Sequence, residues 1–234
     1  MIKAVFFDLY GTLAGFKPSR YEIQSEACNY FGIKLTPEGT LAGYALADKY
    51  MATQNSRKPI RLMDDGEKDV FFARYEKLVV SGSGIEIDEV LSSAIWNRVR
   101  QIPYEMALFD DVIIGLAALK KKGLILGLIS NMNKGSQQIL SNFNLLGHLD
   151  FAVTSLEIGV EKPHEQIFQA ALVKADVDPQ DAMHVGDQIL SDVEGAKNAG
   201  ILPVLIDRDN TNSSFDEFPR IEKIDQISEI IRLY

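Results

Sequence analysis

Met1-Ile-Lys-Ala-Val-Phe-Phe-Asp8-Leu-Tyr10-Gly11-Thr12-Leu13 is the stretch on which the fold reading turns. Ala4 to Phe7 is an unbroken apolar run, the pattern of a strand buried on both faces. It stops at an aspartate, and a glycine follows three residues later. Open α/β sheets bind ligands outside the carboxyl ends of their strands, so Asp8 stands where chemistry is usually done. Gly11 permits a sharp turn and a close approach of backbone to ligand. Thr12 adds a hydroxyl and an amide. Alone, the stretch is equally compatible with an ordinary strand end whose aspartate caps a turn.

Working outward, Ala14-Gly15-Phe16-Lys17-Pro18 reads as a hinge. From there to about Gln101 apolar residues recur at helical spacing: Ile23, Ala27, Tyr30 and Phe31, then Phe71, Tyr75, Leu78 and Val79, then Leu91, Ile95 and Val99. Thr36-Pro37 fits a capped helix start. Strand–helix alternation begins near Tyr104. Strands are expected at 124–129, 151–154, 182–185 and 202–206, with helices between them and a closing amphipathic helix near Ile227. Such alternation means a parallel sheet covered by helices on both faces. The expected fold class is therefore α/β, a parallel sheet with an inserted helical bundle. The expected partition is 1–15 and 103–234 for the sheet core and 16–102 for the helical segment.

The 234 residues carry a formal net charge of −9. A surface this acidic repels nucleic acid and anionic lipid. No apolar run is long enough to cross a bilayer, and Lys3 followed by a short run ending in Asp8 does not resemble a signal peptide, so a cytoplasmic location is expected. Cys28 is the single cysteine, expected to be a small buried apolar residue. His148, His164 and His184 show no metal-ligand spacing.

Several expected strands end in polar residues: Asp8, Ser130-Asn131 and Gly186-Asp187. Parallel strands share one carboxyl edge, so these converge although distant in sequence. Asp192 follows Asp187 by five residues, and Lys162 precedes a proline at a loop-to-helix junction. Asp8 reads as a nucleophile, Ser130 as a donor to oxygens gaining charge, and Lys162 as a counter-charge. Asp187 with Asp192 completes an oxygen site for a hard cation. Carboxylates gathered this closely repel one another unless a cation sits between them. Asp110-Asp111 and Asp64-Asp65 read as helix starts. Arg57, Lys58 and Arg61 read as a solvated loop rather than a substrate contact.

Asp8-Leu-Tyr-Gly-Thr-Leu13, Leu128-Ile-Ser130-Asn131, Gly159-Val-Glu-Lys162-Pro and Val185-Gly-Asp187 with Asp192 resemble, in order, the four motifs of the haloacid dehalogenase superfamily. The resemblance implies a Rossmann-like parallel sheet core with a helical cap, and a two-step displacement through an aspartyl intermediate on Asp8. In the phosphatase branch it implies magnesium held by Asp8, the Tyr10 backbone carbonyl, Asp187 and Asp192. Gly11, Thr12, Ser130 and Asn131 would bind the phosphoryl group, and Lys162 would screen it from Asp8. The expected substrate is a small phosphorylated metabolite, and the expected state monomer or homodimer. One position departs from the pattern. Most phosphatases of the superfamily have a second aspartate two residues after the nucleophile, where this chain has Tyr10. A phenol with a pKa near ~10 is a poor base at neutral pH, and losing acid–base help costs about 10²–10⁴-fold in rate. Tyr10 resembles instead the metal-independent 2-haloacid dehalogenases, which lack Gly186-Asp187. A non-catalytic binding module is the alternative of another class.

Overall fold

The structure, a computed structural model, describes residues 1–58 and 60–234, and the side chains of Ala52, Asn55, Ser56 and Arg61 also lie outside the description. The chain divides into two compact units: Met1–Gly15 with Met106–Tyr234, and Phe16–Glu105.

The first unit is built on β1 (Ala4–Phe7), the most buried strand. Two short strands, β2 (Ala14–Lys17) and β3 (Glu105–Leu108), pair as a separate two-stranded sheet. The remaining strands are β4 (Ile125–Ser130), β5 (Phe151–Thr154), β6 (Ala182–Gly186), β7 (Leu202–Ile206) and β8 (Arg220–Ile221). The six-stranded sheet runs β5-β4-β1-β6-β7-β8, with every pair parallel. The chain grows from β1 to one side through β4 and β5, then returns to the other side for β6. The order therefore reverses at β1/β6, the position where open sheets open a binding crevice.

Strand period explains the burial. Val5 and Phe7 face one layer with Leu126, Leu128, Met183 and Val185, while Ala4 and Phe6 face the other with Ile129 and Phe168. Helices cover both faces, including α5 (Val112–Lys120) and the amphipathic segment Glu165–Ala175. The hinge expected at Ala14–Lys17 is instead a strand. Its partner lies some ninety residues away, so the pairing leaves no local signal.

The second unit is helical: α1 (Arg20–Asn29), α2 (Pro37–Arg57), α3 (Asp65–Ser81) and α4 (Glu89–Val99). Each start is capped by its own sequence. Ser19 with Glu22 and Asp64 with Glu67 form capping boxes, and Thr36 and Asp88 accept backbone amides. Cys28 is buried, and burial raises its thiol to about 11, which leaves it unreactive. Tyr30, expected on the apolar face, is exposed, with the Arg98 guanidinium 5.4 Å from its ring centre. Lys58 pairs with Glu67 at 2.6 Å on the surface, and the Arg61 side chain lies outside the described residues.

This unit buries one carboxyl, Glu76, which accepts a hydrogen bond from Gln24 Nε2 at 2.6 Å. Burial raises it to about 7, against the pull of Gln24 and Arg20. Its stabilising contribution is fully present below its ordinary value of 4.5 and is lost as pH rises through about 7. Glu76→Gln keeps an acceptor for Gln24 and cannot ionise. Its unfolding free energy is expected to exceed wild type increasingly from about pH 5 to about pH 9, approaching roughly 3 kcal/mol at the alkaline end. An unchanging difference across that range contradicts the assignment.

Candidate active site

The sheet order β4-β1-β6 sets Ser130, Asp8 and Asp187 side by side at one edge. Register fixes this, because Phe7 lies opposite both Leu128 and Val185. The Asp8 amide donates to Val185 O at 2.9 Å, tying the two strand ends together. Two glycines make the approach possible. A side chain at Gly11, whose φ is +81°, would run into the Asp187 carboxylate, and one at Gly186 would run into Asp192.

Lys162 is buried and donates to Asp8 Oδ1 and Asp192 Oδ1, both at 2.5 Å. Its backbone is clamped by Asn131, whose Oδ1 accepts the Lys162 amide at 2.7 Å and whose Nδ2 donates to the Lys162 carbonyl at 3.1 Å. Asn131 thus has both side-chain polar atoms engaged with Lys162. Ser130 Oγ accepts the Met132 amide at 3.2 Å, which leaves its proton to donate elsewhere. Thr12 Oγ1 is buried without a partner among the described residues. Asp8, Tyr10, Ser130, Lys162, Gln188 and Asp192 line a cavity of about 210 Å³.

His184, which the sequence offered only as a histidine without metal-ligand spacing, sits inside a strand, one residue before the Val185-Gly-Asp187 motif. Its Nε2 lies 3.0 Å from Asp192 Oδ1. Burial holds the imidazole below its ordinary value, so the neutral ring donates from Nε2 and its bare Nδ1 is left unpartnered among the described residues. Asp192 also accepts the Gln188 amide at 3.0 Å, from a π-helical turn spanning Ile189–Glu194 that brings the carboxylate back toward β6. Asp192 is correspondingly held well below the usual carboxylate range by Lys162 and His184, despite its burial.

The other two carboxyls are pushed upward. Burial, opposed by Lys162 and reinforced by Asp192, raises Asp8 to about 6. Burial and the neighbouring Asp8 and Asp192 raise Asp187 to about 8. Ligand oxygens of Asp8, Asp187 and Asp192 lie within 4.8 Å of one another. Asp187 Oδ1 is buried with no hydrogen-bond partner among the described residues. An all-oxygen set of three clustered acids with an orphaned oxygen fits a hard divalent cation.

Asp111 does open α5, but its carboxylate makes no cap hydrogen bond to that helix. It accepts from Arg208 Nη1 at 3.0 Å and from the Ile224 amide at 2.8 Å. His164 stands at the N-cap of the helix Glu165–Ala175 without a side-chain cap bond.

The model of a family described as haloacid dehalogenase-like hydrolase matches residues 2–200. The chain is 29% identical over 242 residues to a glyceraldehyde 3-phosphate phosphatase of Methanothermobacter thermautotrophicus, covering 99% of this chain and 100% of that protein. It is 35% identical over 104 residues to haloacid dehalogenase-like hydrolase domain-containing protein 3 of Mus musculus, covering 44% of this chain and only 41% of that protein. Among solved structures, a 2-haloacid dehalogenase from Pseudomonas syringae pv. Tomato DC3000 superposes with a TM-score of 0.57 at 22% identity, covering 100% and 99% of the two chains.

Proposed function

Because this chain belongs to the haloacid dehalogenase-like hydrolases, we propose that it is a magnesium-dependent phosphatase of a small phosphorylated metabolite, working through a covalent intermediate on Asp8. The observation that carries the reading is the acidic cluster, in which Asp187 has a buried oxygen without a partner beside Asp8 and Asp192. The extended likeness to a protein named as a phosphatase supports it. In this reading residues 16–102 are the family's cap.

A bound magnesium ion supplies charge neutralisation and orientation to the phosphoryl oxygens. Asp8, the Tyr10 carbonyl and Asp187 would hold it. Asp192, whose Oδ1 is held by Lys162 and His184 and whose Oδ2 accepts the Gln188 amide, would support the site through those partners. An Asp8 oxygen forms a bond to phosphorus as the bond to the leaving oxygen breaks. Lys162 Nζ, bonded to Asp8, keeps that carboxyl ionised and offsets the charge that builds up around it. The Ser130 hydroxyl and Thr12 hold phosphoryl oxygens, and Asn131 keeps Lys162 in register. Water then attacks phosphorus, the Asp8–phosphorus bond breaks, and inorganic phosphate leaves. Tyr10 supplies no efficient base for that water and no efficient acid for the departing oxygen, so easily expelled leaving groups are favoured.

Phosphate release from a panel of sugar and aryl phosphates is expected to fall by at least about 10²-fold on chelation with EDTA and to return with added magnesium. Release indifferent to chelation contradicts the reading. The second reading, a 2-haloacid dehalogenase, is favoured by Tyr10, since a halide needs no proton. Chloride release from 2-chloropropionate, unaffected by EDTA, would select it instead.

A further inference from the structure

Thr12 sits in a loop whose backbone is closed by its own bonds. Leu13 and Ala14 amides both donate to Leu9 O, at 2.8 and 2.7 Å, and the Gly11 amide donates to Ala14 O at 2.8 Å. Among the described residues the Thr12 carbonyl has no backbone partner, and a side chain from the loop after β7 takes it. Arg208, just past β7, donates to Thr12 O from Nε at 3.0 Å and from Nη2 at 2.7 Å. The guanidinium is itself fixed. Nη1 donates to Asp111 Oδ1 at 3.0 Å, and the group stacks 4.1 Å from the ring centre of Phe109. Phe109 also reaches the loop, its amide donating to Leu13 O at 3.0 Å. Successive carbonyls of the loop are thus gripped from outside, next to a threonine hydroxyl that is buried and has no partner among the described residues.

We propose that Arg208 is a positioning residue, whose two hydrogen bonds to the Thr12 carbonyl hold the Asp8–Ala14 loop so that the Thr12 hydroxyl faces the group that the site binds. Its action on turnover rests on the phosphatase reading above. The geometry asks for arginine. A planar fork can place two donors on one carbonyl while a third nitrogen stays on Asp111, whereas an ammonium has no such fork and no flat face for Phe109. Buried neighbours could do the packing alone, but an apolar side chain would leave the Thr12 carbonyl without its donors.

The test uses the full chain with magnesium and an aryl phosphate as probe. Arg208→Lys, which keeps the charge, is expected to lose about 10-fold in kcat, and Arg208→Met about 100-fold. Magnesium affinity by calorimetry should stay within about twofold in Arg208→Lys, which keeps the positive charge that Asp187 feels. Leu119→Ala, a core truncation in α5 that removes none of these hydrogen bonds, serves as a destabilised control and should keep kcat. Hydrogen exchange of the peptide spanning residues 8–14 reads the loop directly, with or without turnover. It is expected to quicken in both Arg208 variants and to match wild type in Leu119→Ala. Wild-type exchange and kcat in Arg208→Met, or equal losses in Leu119→Ala, overturn the proposal. Quickened exchange in an enzyme that hydrolyses nothing would uphold the brace and refute the phosphatase reading.

Discussion

Asp8→Asn is expected to lower kcat on any phosphate ester by on the order of 10⁶-fold, the scale on which removal of a covalent nucleophile is felt. The substitution preserves shape and leaves Lys162 paired with Asp192, so a folding defect does not explain the loss. A second signature separates this from general damage. In the folded chain Asp8 and Asp187 are raised, to about 6 and about 8, so the stability they lend is fully present below their ordinary value of 3.8 and is lost as pH rises through those values. With a chelator present, Asp8→Asn is therefore expected to melt higher than wild type at alkaline pH, because one of the mutually repelling acids is gone. Adding magnesium should raise the wild-type midpoint more than the variant's, by mass action on the better site. An active variant, or one that is inactive and less stable without metal, contradicts the assignment of Asp8.

Tyr10→Asp is expected to act in the opposite direction. Asp8 and Tyr10 both line the cavity, so a carboxylate at position 10 would enter it. It could protonate a departing alkoxide and then take a proton from the attacking water. Such help is worth about 10²–10⁴-fold, or roughly 3–5 kcal/mol of barrier. The gain should appear in full for alkyl phosphates and shrink for nitrophenyl phosphate, whose leaving group departs without a proton. Wild type should show the complementary pattern, a steep decline of kcat as the leaving group becomes more basic. A fourth carboxylate beside Asp8, Asp187 and Asp192 should also make the metal-free protein less stable at alkaline pH. Equal effects on both classes of ester would mean that position 10 takes no part in proton transfer.

How far these residues were legible depended on whether their signal was local. Asp8, Ser130 and Asp187 could be read because each ends an apolar run, and a parallel sheet brings such ends to one edge. The order β4-β1-β6 then made them neighbours. Lys162 and Asp192 gave no such signal by themselves, and only the ordered motifs singled them out. Gly186 makes sense once Asp192 is seen to occupy the space its side chain would need. His184 stayed hidden, as its polar role lies within an otherwise apolar strand. Arg208 stayed hidden for a different reason: its partner is a backbone carbonyl 196 positions earlier, which no side-chain pattern encodes. Asp111 was half legible, a true helix start whose carboxylate serves Arg208 and the Ile224 amide. In the helical unit the capping boxes were local and readable, whereas β2 and β3 depended on a distant pairing.

The central claim is that Asp8 attacks phosphorus at a site its neighbouring acids complete only with a divalent cation. Acid quenching during turnover of an aryl phosphate, followed by peptide mass spectrometry, tests it most directly. The account predicts a phosphoryl group on the peptide carrying Asp8, present with magnesium and missing in EDTA. Steady turnover with no label on that peptide, or a label that forms equally well in EDTA, would contradict it.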